Sequence, residues 1–432
     1  MAWRRIRPSS TAAYVYTDGL AADTTIASGG SQLVSDGGRA ASTTVLDGGR
    51  LSAYVGGTVE DVMISSGGSV NMEAGTFMDG SVNMLREGGI LTGPVDLLVD
   101  ANLTIERITD GTQNNAFTGA GGLTKIGAGV LTLTGVNTYT GGTTVSEGTL
   151  KGDTVSVQGH ILNNAHVIFD QPFDGTYSGE MSGTGHLTKT GSGWLEMVKE
   201  NTFGGDLRIL KGGIVLGPNG TLTNARSLYL APDTTLDYRA AAAHATLGNS
   251  PIALKNVTVA GLGTRIVPGQ GAGGGANFNN GDMSFLIPWT ARNGDVFLTV
   301  DGNADLRDVR VHLEMMNSRS GRSLISIGEK LILVDVLGDM DSNMVSHEVQ
   351  VTNGDKYLME TNVDQLYLTL VKSNPTNPEY PRLGAYALTR IAKVAFLDQG
   401  YDLLLHQGTG RHGGAGHQDR QLRRHRRRVV AV

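Results

Sequence analysis

The chain has 432 residues, with 62 glycines, 6% aromatic residues, no cysteine and a formal net charge of −6. The last 24 residues hold seven arginines against one aspartate, so the rest is acidic at about −12, which argues against nucleic-acid binding. The lack of cysteine excludes a disulfide framework and thiolate metal sites. Glycine without a Gly-X-Y period excludes collagen, and no run of 18 apolar residues offers a transmembrane helix.

Residues 1–17 carry positive charge with no apolar stretch behind it, so they read as a disordered N-terminus and not as a recognisable signal peptide. Residues 18–93 hold a glycine clock. Pairs fall at Gly29-Gly30, Gly37-Gly38, Gly48-Gly49, Gly56-Gly57 and Gly67-Gly68, and a single glycine follows at Gly75. The steps alternate between 8 and 11 residues, so the period is 19, the mark of a solenoid whose repeats stack as coils. Between the glycines lie short stretches such as Gln32-Leu33-Val34 and Thr44-Val45-Leu46. Alternation along a strand puts their apolar residues inside, while glycines take turns that exclude a Cβ. A flexible Gly/Ser linker would hold no such register.

Residues 94–230 contain a longer repeat. Gly122-Leu123-Thr124-Lys125-Ile126-Gly127 returns as Gly185-His186-Leu187-Thr188-Lys189-Thr190-Gly191 at an offset of 64, an interval that accommodates about three coils. Residues 231–372 lose glycine after a loop at Gly261–Gly281 and gain longer strand candidates at Asp295–Val300, Val309–Met315, Glu329–Val336 and Gln365–Val371. These bury more area per coil, make this the folding-competent end and can cap the open edge. Residues 373–405 combine a proline-rich break with a helix candidate, in which Leu383, Ala387, Ile391, Val394, Leu397 and Tyr401 recur at helical spacing. Residues 406–432 read as a basic disordered tail.

Two of these repeats resemble a known family. The Ser-Gly-Gly and Asp-Gly-Gly coils of residues 28–89 resemble the 19-residue repeats of AIDA-type adhesins. Residues 121–150 (GGLTKIGAGVLTLTGVNTYTGGTTVSEGTL) resemble the autotransporter-associated β-strand repeat. Residues 295–372 resemble, more loosely, the pertactin-like end of such a passenger. The segment from Arg382 resembles the lead into a translocation barrel. The resemblance implies an all-β, right-handed parallel β-helix passenger with a short C-terminal helix and a disordered tail, borne on a Gram-negative cell surface, outer membrane or secreted. Coils of 19–22 residues would give a rod on the order of 80–90 Å. The barrel and a recognisable signal peptide are absent from this chain, which therefore reads as truncated before the barrel.

The implied function is that of an adhesin or self-association stalk acting in aggregation or biofilm. Its partners would be host or bacterial cell-surface molecules or further copies of itself. No Gly-Asp-Ser-Gly segment, Gly-x-Ser-x-Gly elbow or His-Glu-x-x-His helix occurs, so no catalytic, cofactor-binding or metal residue is assigned and no enzyme is expected. A polysaccharide-active alternative would need carboxylates and a basic residue converging in one groove between residues 94 and 300. A non-functional truncated remnant is the third reading. Gly269–Gly274 matches G-x-G-x-x-G but continues into turn chemistry, so it reads as a loop. Asp36, Asp47 and Asp61 read as solvated turn residues and not as calcium ligands. His406, His412, His417 and His425 read as an unstructured tail. Ser28, Ser31, Ser35, Thr43, Thr44, Ser65, Ser66 and Ser69 read as exposed turn and outer-face positions, with glycosylation a possibility of the family. Trp194 reads as a core or stacking residue.

Overall fold

The structure, a computed structural model, describes residues 13–15, 19–242, 252, 254–269, 275–315, 325–350 and 356–372. Three short strands make each coil, and each strand pairs in parallel with its counterpart one coil on. Face one starts as a five-stranded sheet (Ala13–Val15 to Ile90–Thr92) and continues as a ten-stranded one (Gly111–Gln113 to Arg310–Met315). Face two runs from Leu20–Ala22 to Phe117–Gly119 and resumes at Gly175–Tyr177. Face three runs from Thr25–Ile26 to Met181–Ser182, with a three-stranded sheet downstream. The chain is a parallel β-helix, as the 19-residue period and the resemblance imply.

Alternation fixes what goes inside. In Ser31–Val34, Gln32 and Val34 point inward and Leu33 outward, and Gln32 stacks in register on Leu51, Val70 and Leu91. Each fully buried aliphatic side chain contributes about 1.5–3 kcal/mol. Gln32 is the exception in this column, since its buried amide has no hydrogen-bond partner.

The glycine clock is a hydrogen-bonded ladder. Gly29, Gly48 and Gly67 each donate their N–H to the glycine one coil on, at 3.1, 3.1 and 2.9 Å, and Gly37 and Gly56 form the second track. The first glycine of each pair has φ near +70°, which places it third in a tight turn, and the second closes that turn, as in Gly30 N–H to Ala27 C=O at 2.8 Å. A third corner escaped the sequence reading. Asp23, Ser42, Asp61 and Gly80 keep the same 19-residue spacing and all have positive φ (51°, 51°, 46° and 79°).

Downstream coils are larger, with registers such as Arg265↔Thr299 and Thr299↔Asp335. The fifteen strands of face one, at about 4.8 Å each, give a rod on the order of 70 Å, shorter than 19–22-residue coils would make it. Several boundaries also move. Ala13–Val15 is a strand paired with Gln32–Val34, so the stack begins before residue 18. The Gly261–Gly281 segment is not all loop, because Thr264–Val267 and Ala276–Asn277 are strands in it. The compositional shift at 231 leaves no break, since Gly213–Leu216, Thr235–Asp237 and Thr264–Val267 are consecutive strands of one sheet. The long strands expected near the end lie within one residue of their sequence bounds, at Val296–Val300, Arg310–Met315, Lys330–Val336 and Gln365–Lys372. The helix expected at 382–405 and the tail lie outside the described residues. Among the described residues one short helix occurs, at Arg239–Ala242.

The end of the stack is closed by a change of direction. Gln365–Lys372 pairs antiparallel with Lys330–Val336, and Lys356–Thr361 and His347–Gln350 extend it as an antiparallel meander. The 64-residue repeat has an unexpected geometry. Lys125 lies on face three and Lys189 on face one, so the unit spans three coils plus one face. Both copies do the same local work. Each lysine side chain is buried, and its ammonium donates to three backbone carbonyls at the corner: Ile126, Gly127 and Glu147 at 2.8, 2.5 and 3.1 Å, and Thr190, Gly191 and Lys211 at 2.7, 2.9 and 3.1 Å. Asn137 and Asn201 are likewise equivalent, each accepting a backbone N–H from 20 residues earlier (Phe117 at 2.9 Å, Met181 at 3.0 Å).

Candidate functional site

The outward side of face three carries an unbroken uncharged column. Thr25, Thr44, Met63, Met84, Thr104, Thr124, Thr144, Leu162 and Ser182 follow one another in register. Alternation puts them outside because their neighbours Val45, Ile64, Leu85, Leu103 and Val145 fill the core.

At its downstream end this column opens into a groove of about 500 Å³ lined by residues between Gly141 and Thr202. Its floor is Thr144, Leu162 and Ser182, and its wall is the corner column of His160, Glu180 and Glu200. The groove exists because the adjoining corner is bare. A Cβ at Gly142 would come within 2.8 Å of the His160 carbonyl, and one at Gly159 within 3.1 Å of Gly142 Cα. The rungs are tied by backbone bonds from Thr143 N–H to His160 C=O and from Ile161 N–H to Glu180 C=O, both 2.8 Å. Thr143 is buried, its hydroxyl 2.6 Å from the Tyr139 hydroxyl. His160 Nδ1 accepts the Glu180 backbone N–H at 3.3 Å, which leaves Nε2 as the protonated donor of the neutral ring. The Glu180 carboxylate lies 3.7 Å from the same Nδ1. Two carboxylates and a histidine thus meet between residues 94 and 300, but no lysine or arginine lines the groove.

Face one carries a contrasting, closed network. Asp206 is buried, which disfavours its charge, yet the His186 ring 3.3 Å away and hydrogen bonds from Arg226 and Ser227 hold its carboxyl well below the usual range, while the Asp206 backbone N–H donates to His186 Nδ1 at 3.0 Å. Burial, with His186 and Arg208 nearby, pushes His166 down to about 4, and its Nε2 lies 2.8 Å from the Thr188 hydroxyl. Asp282 is held in the same way by Arg310 at 2.6 Å and His312 at 3.1 Å. These carboxylates already have their donors, which suits structural pinning.

The residues singled out by sequence scatter. Ser28 and Ser66 are exposed, while Ser31, Ser35, Thr44, Ser65 and Ser69 are half-buried. Thr43 corrects the expectation of exposure: it follows the left-handed Ser42, turns inward and is fully buried. Asp36 and Asp47 are exposed and Asp61 is half-buried at its corner. Trp194 is half-buried, its ring over Gly213 in the next coil. Of the G-x-G-x-x-G segment only Gly269 is described, and the histidines of the tail lie outside the described residues. Sequence reasoning missed His160, Glu180 and Glu200, whose signal is their own spacing of 20 residues. Among the described residues no group of three or more histidine, aspartate or glutamate side chains could hold a metal ion, and no helix is long and apolar enough to cross a membrane.

Comparison with known proteins agrees with the sequence reading. Residues 123–151 match the passenger-associated-transport-repeat family. Over 185 residues the chain is 31% identical to the adhesin BmaC autotransporter of Brucella suis biovar 1 (strain 1330), a match covering 34% of this chain and 5% of that protein. Among solved structures, a hyper-glycosylated TibA fragment is 17% identical, with 69% of this chain and 88% of that one covered at a TM-score of 0.21. The repeat and the adhesin relative, found on a stacked parallel β-helix, support the resemblance to an autotransporter passenger domain.

Proposed function

We propose that the chain works at a Gram-negative cell surface, or is released from it, as an adhesive or self-associating stalk without catalysis. The observation that carries this reading is the nine-rung uncharged column on face three, which offers a long, regular contact surface of many weak contacts. Its occupants would be host or bacterial surface molecules or a second copy of the chain. Similarity to an autotransporter adhesin supports the same reading.

The test is display. The chain is fused to a heterologous signal peptide and translocation barrel and expressed on bacteria that neither settle nor adhere. The expected outcome is faster settling, attachment to a surface or biofilm. Displayed cells that behave like the parent strain in all three assays refute the reading.

A further inference from the structure

We propose that the face-three groove binds an uncharged oligosaccharide strand lying along the rod axis, with Glu180, Glu200 and His160 as its hydrogen-bonding wall and Thr144, Leu162 and Ser182 as its floor. As a contribution to adhesion this rests on the stalk reading above, but the binding itself does not.

Four observations converge. The first is size. A volume of about 500 Å³ falls within the range of small-molecule sites, and the groove follows four successive rungs at about 4.8 Å, so it suits an elongated ligand. The second is chemistry. Carboxylates accept and do not donate, and each can take a pair of hydroxyl hydrogens, while His160 Nε2–H supplies a donor. The third is the floor. Leu162 is 43% exposed between Thr144 and Ser182, an apolar step suited to the C–H face of a sugar ring between two hydroxyl-bearing rungs. The fourth is charge. Two carboxylates without a lining lysine or arginine repel sulfated or carboxylated sugars and nucleic acid. A protein partner is less well served, because tight protein contacts centre on aromatic and arginine anchors and the groove presents neither.

The test uses the purified full chain and hexasaccharides of glucose, mannose, galactose and N-acetylglucosamine, with a sulfated hexasaccharide as control. Saturation-transfer NMR and calorimetry report binding, and a reducing-end assay reports cleavage. The expected result is binding of at least one neutral hexasaccharide, none of the sulfated one, no new reducing ends, and a tenfold or greater loss of affinity in Glu180→Gln/Glu200→Gln. Both side chains are exposed, so that variant should keep the wild-type melting curve, and Ser284→Ala on face one should bind as wild type. The proposal falls if none of the four neutral sugars binds, if the sulfated sugar binds better, if the double variant binds as wild type, or if the sugar is cleaved. Displayed cells that adhere despite a sugar-blind groove would sink this proposal and leave the stalk reading standing. A groove that binds on cells that never adhere would do the reverse.

Discussion

Two buried lysines show how single residues hold the coils. Each ammonium serves three carbonyls that belong to the chain itself, so substitution leaves those acceptors behind. Lys125→Met and Lys189→Met are each expected to lower unfolding free energy by about 2–3 kcal/mol, read from the denaturant midpoint at constant slope. A histidine gives a pH dependence. His166 titrates at about 4 when folded and near 6.5 when unfolded, so between those values the unfolded chain binds the extra proton. Its contribution is therefore complete above pH 6.5 and lost as pH falls toward 4. Melting temperatures at pH 7, 5.5 and 4.5 should fall in that order, and His166→Gln should flatten the trend. The repeated Leu-Thr-Lys was visible in the sequence, but a lysine in a strand gives no sign of whether it faces solvent or a corner. Only the carbonyls around it decide that.

At the scale of a coil, the corners decide. Gly29 and Gly67 have φ of 76° and 74°, but a Cβ at Gly29 would meet nothing within 4 Å, whereas one at Gly67 would overlap the Asp47 carboxylate of the coil before. Gly29→Ala should cost about 1 kcal/mol, the left-handed penalty alone. Gly67→Ala should add about 0.5–1.5 kcal/mol as the exposed Asp47 carboxylate is pushed from its rotamer, and Asp47→Ala in that background should return most of the addition; thermal melts of the three variants test it. The two glycine tracks were legible because few other residues tolerate positive φ. The third corner was not, because Asp23, Ser42 and Asp61 look like ordinary surface polar residues until their spacing is compared with the clock. The groove was hidden for a similar reason. His160, Glu180 and Glu200 differ in type, and they become neighbours only once coils of about 20 residues are stacked.

At the scale of the molecule, the stack is graded. Strands of two to four residues dominate upstream, against six to eight near the end, and the antiparallel meander covers the last parallel edge. Ending the chain after Asp341 uncovers Lys330–Val336, so concentration-dependent association by sedimentation is expected; a monodisperse product would refute the capping role. Removing residues 1–45 should leave the downstream melting transition nearly unchanged, since coils interact with their neighbours only. The all-β solenoid and its final strands followed from period and alternation. The lengthening of the coils did not, because extra residues enter at corners, where no periodicity constrains them.

The 64-residue unit, with its three coils and one further face, has a consequence for how such a rod could grow. Each added copy would be turned a third of the way around the axis relative to the one before. Any feature carried by the unit would therefore climb the rod like the treads of a spiral stair, and lengthening by duplication would spread contacts to every side instead of deepening one. The corner lysines at 125 and 189 are two such treads.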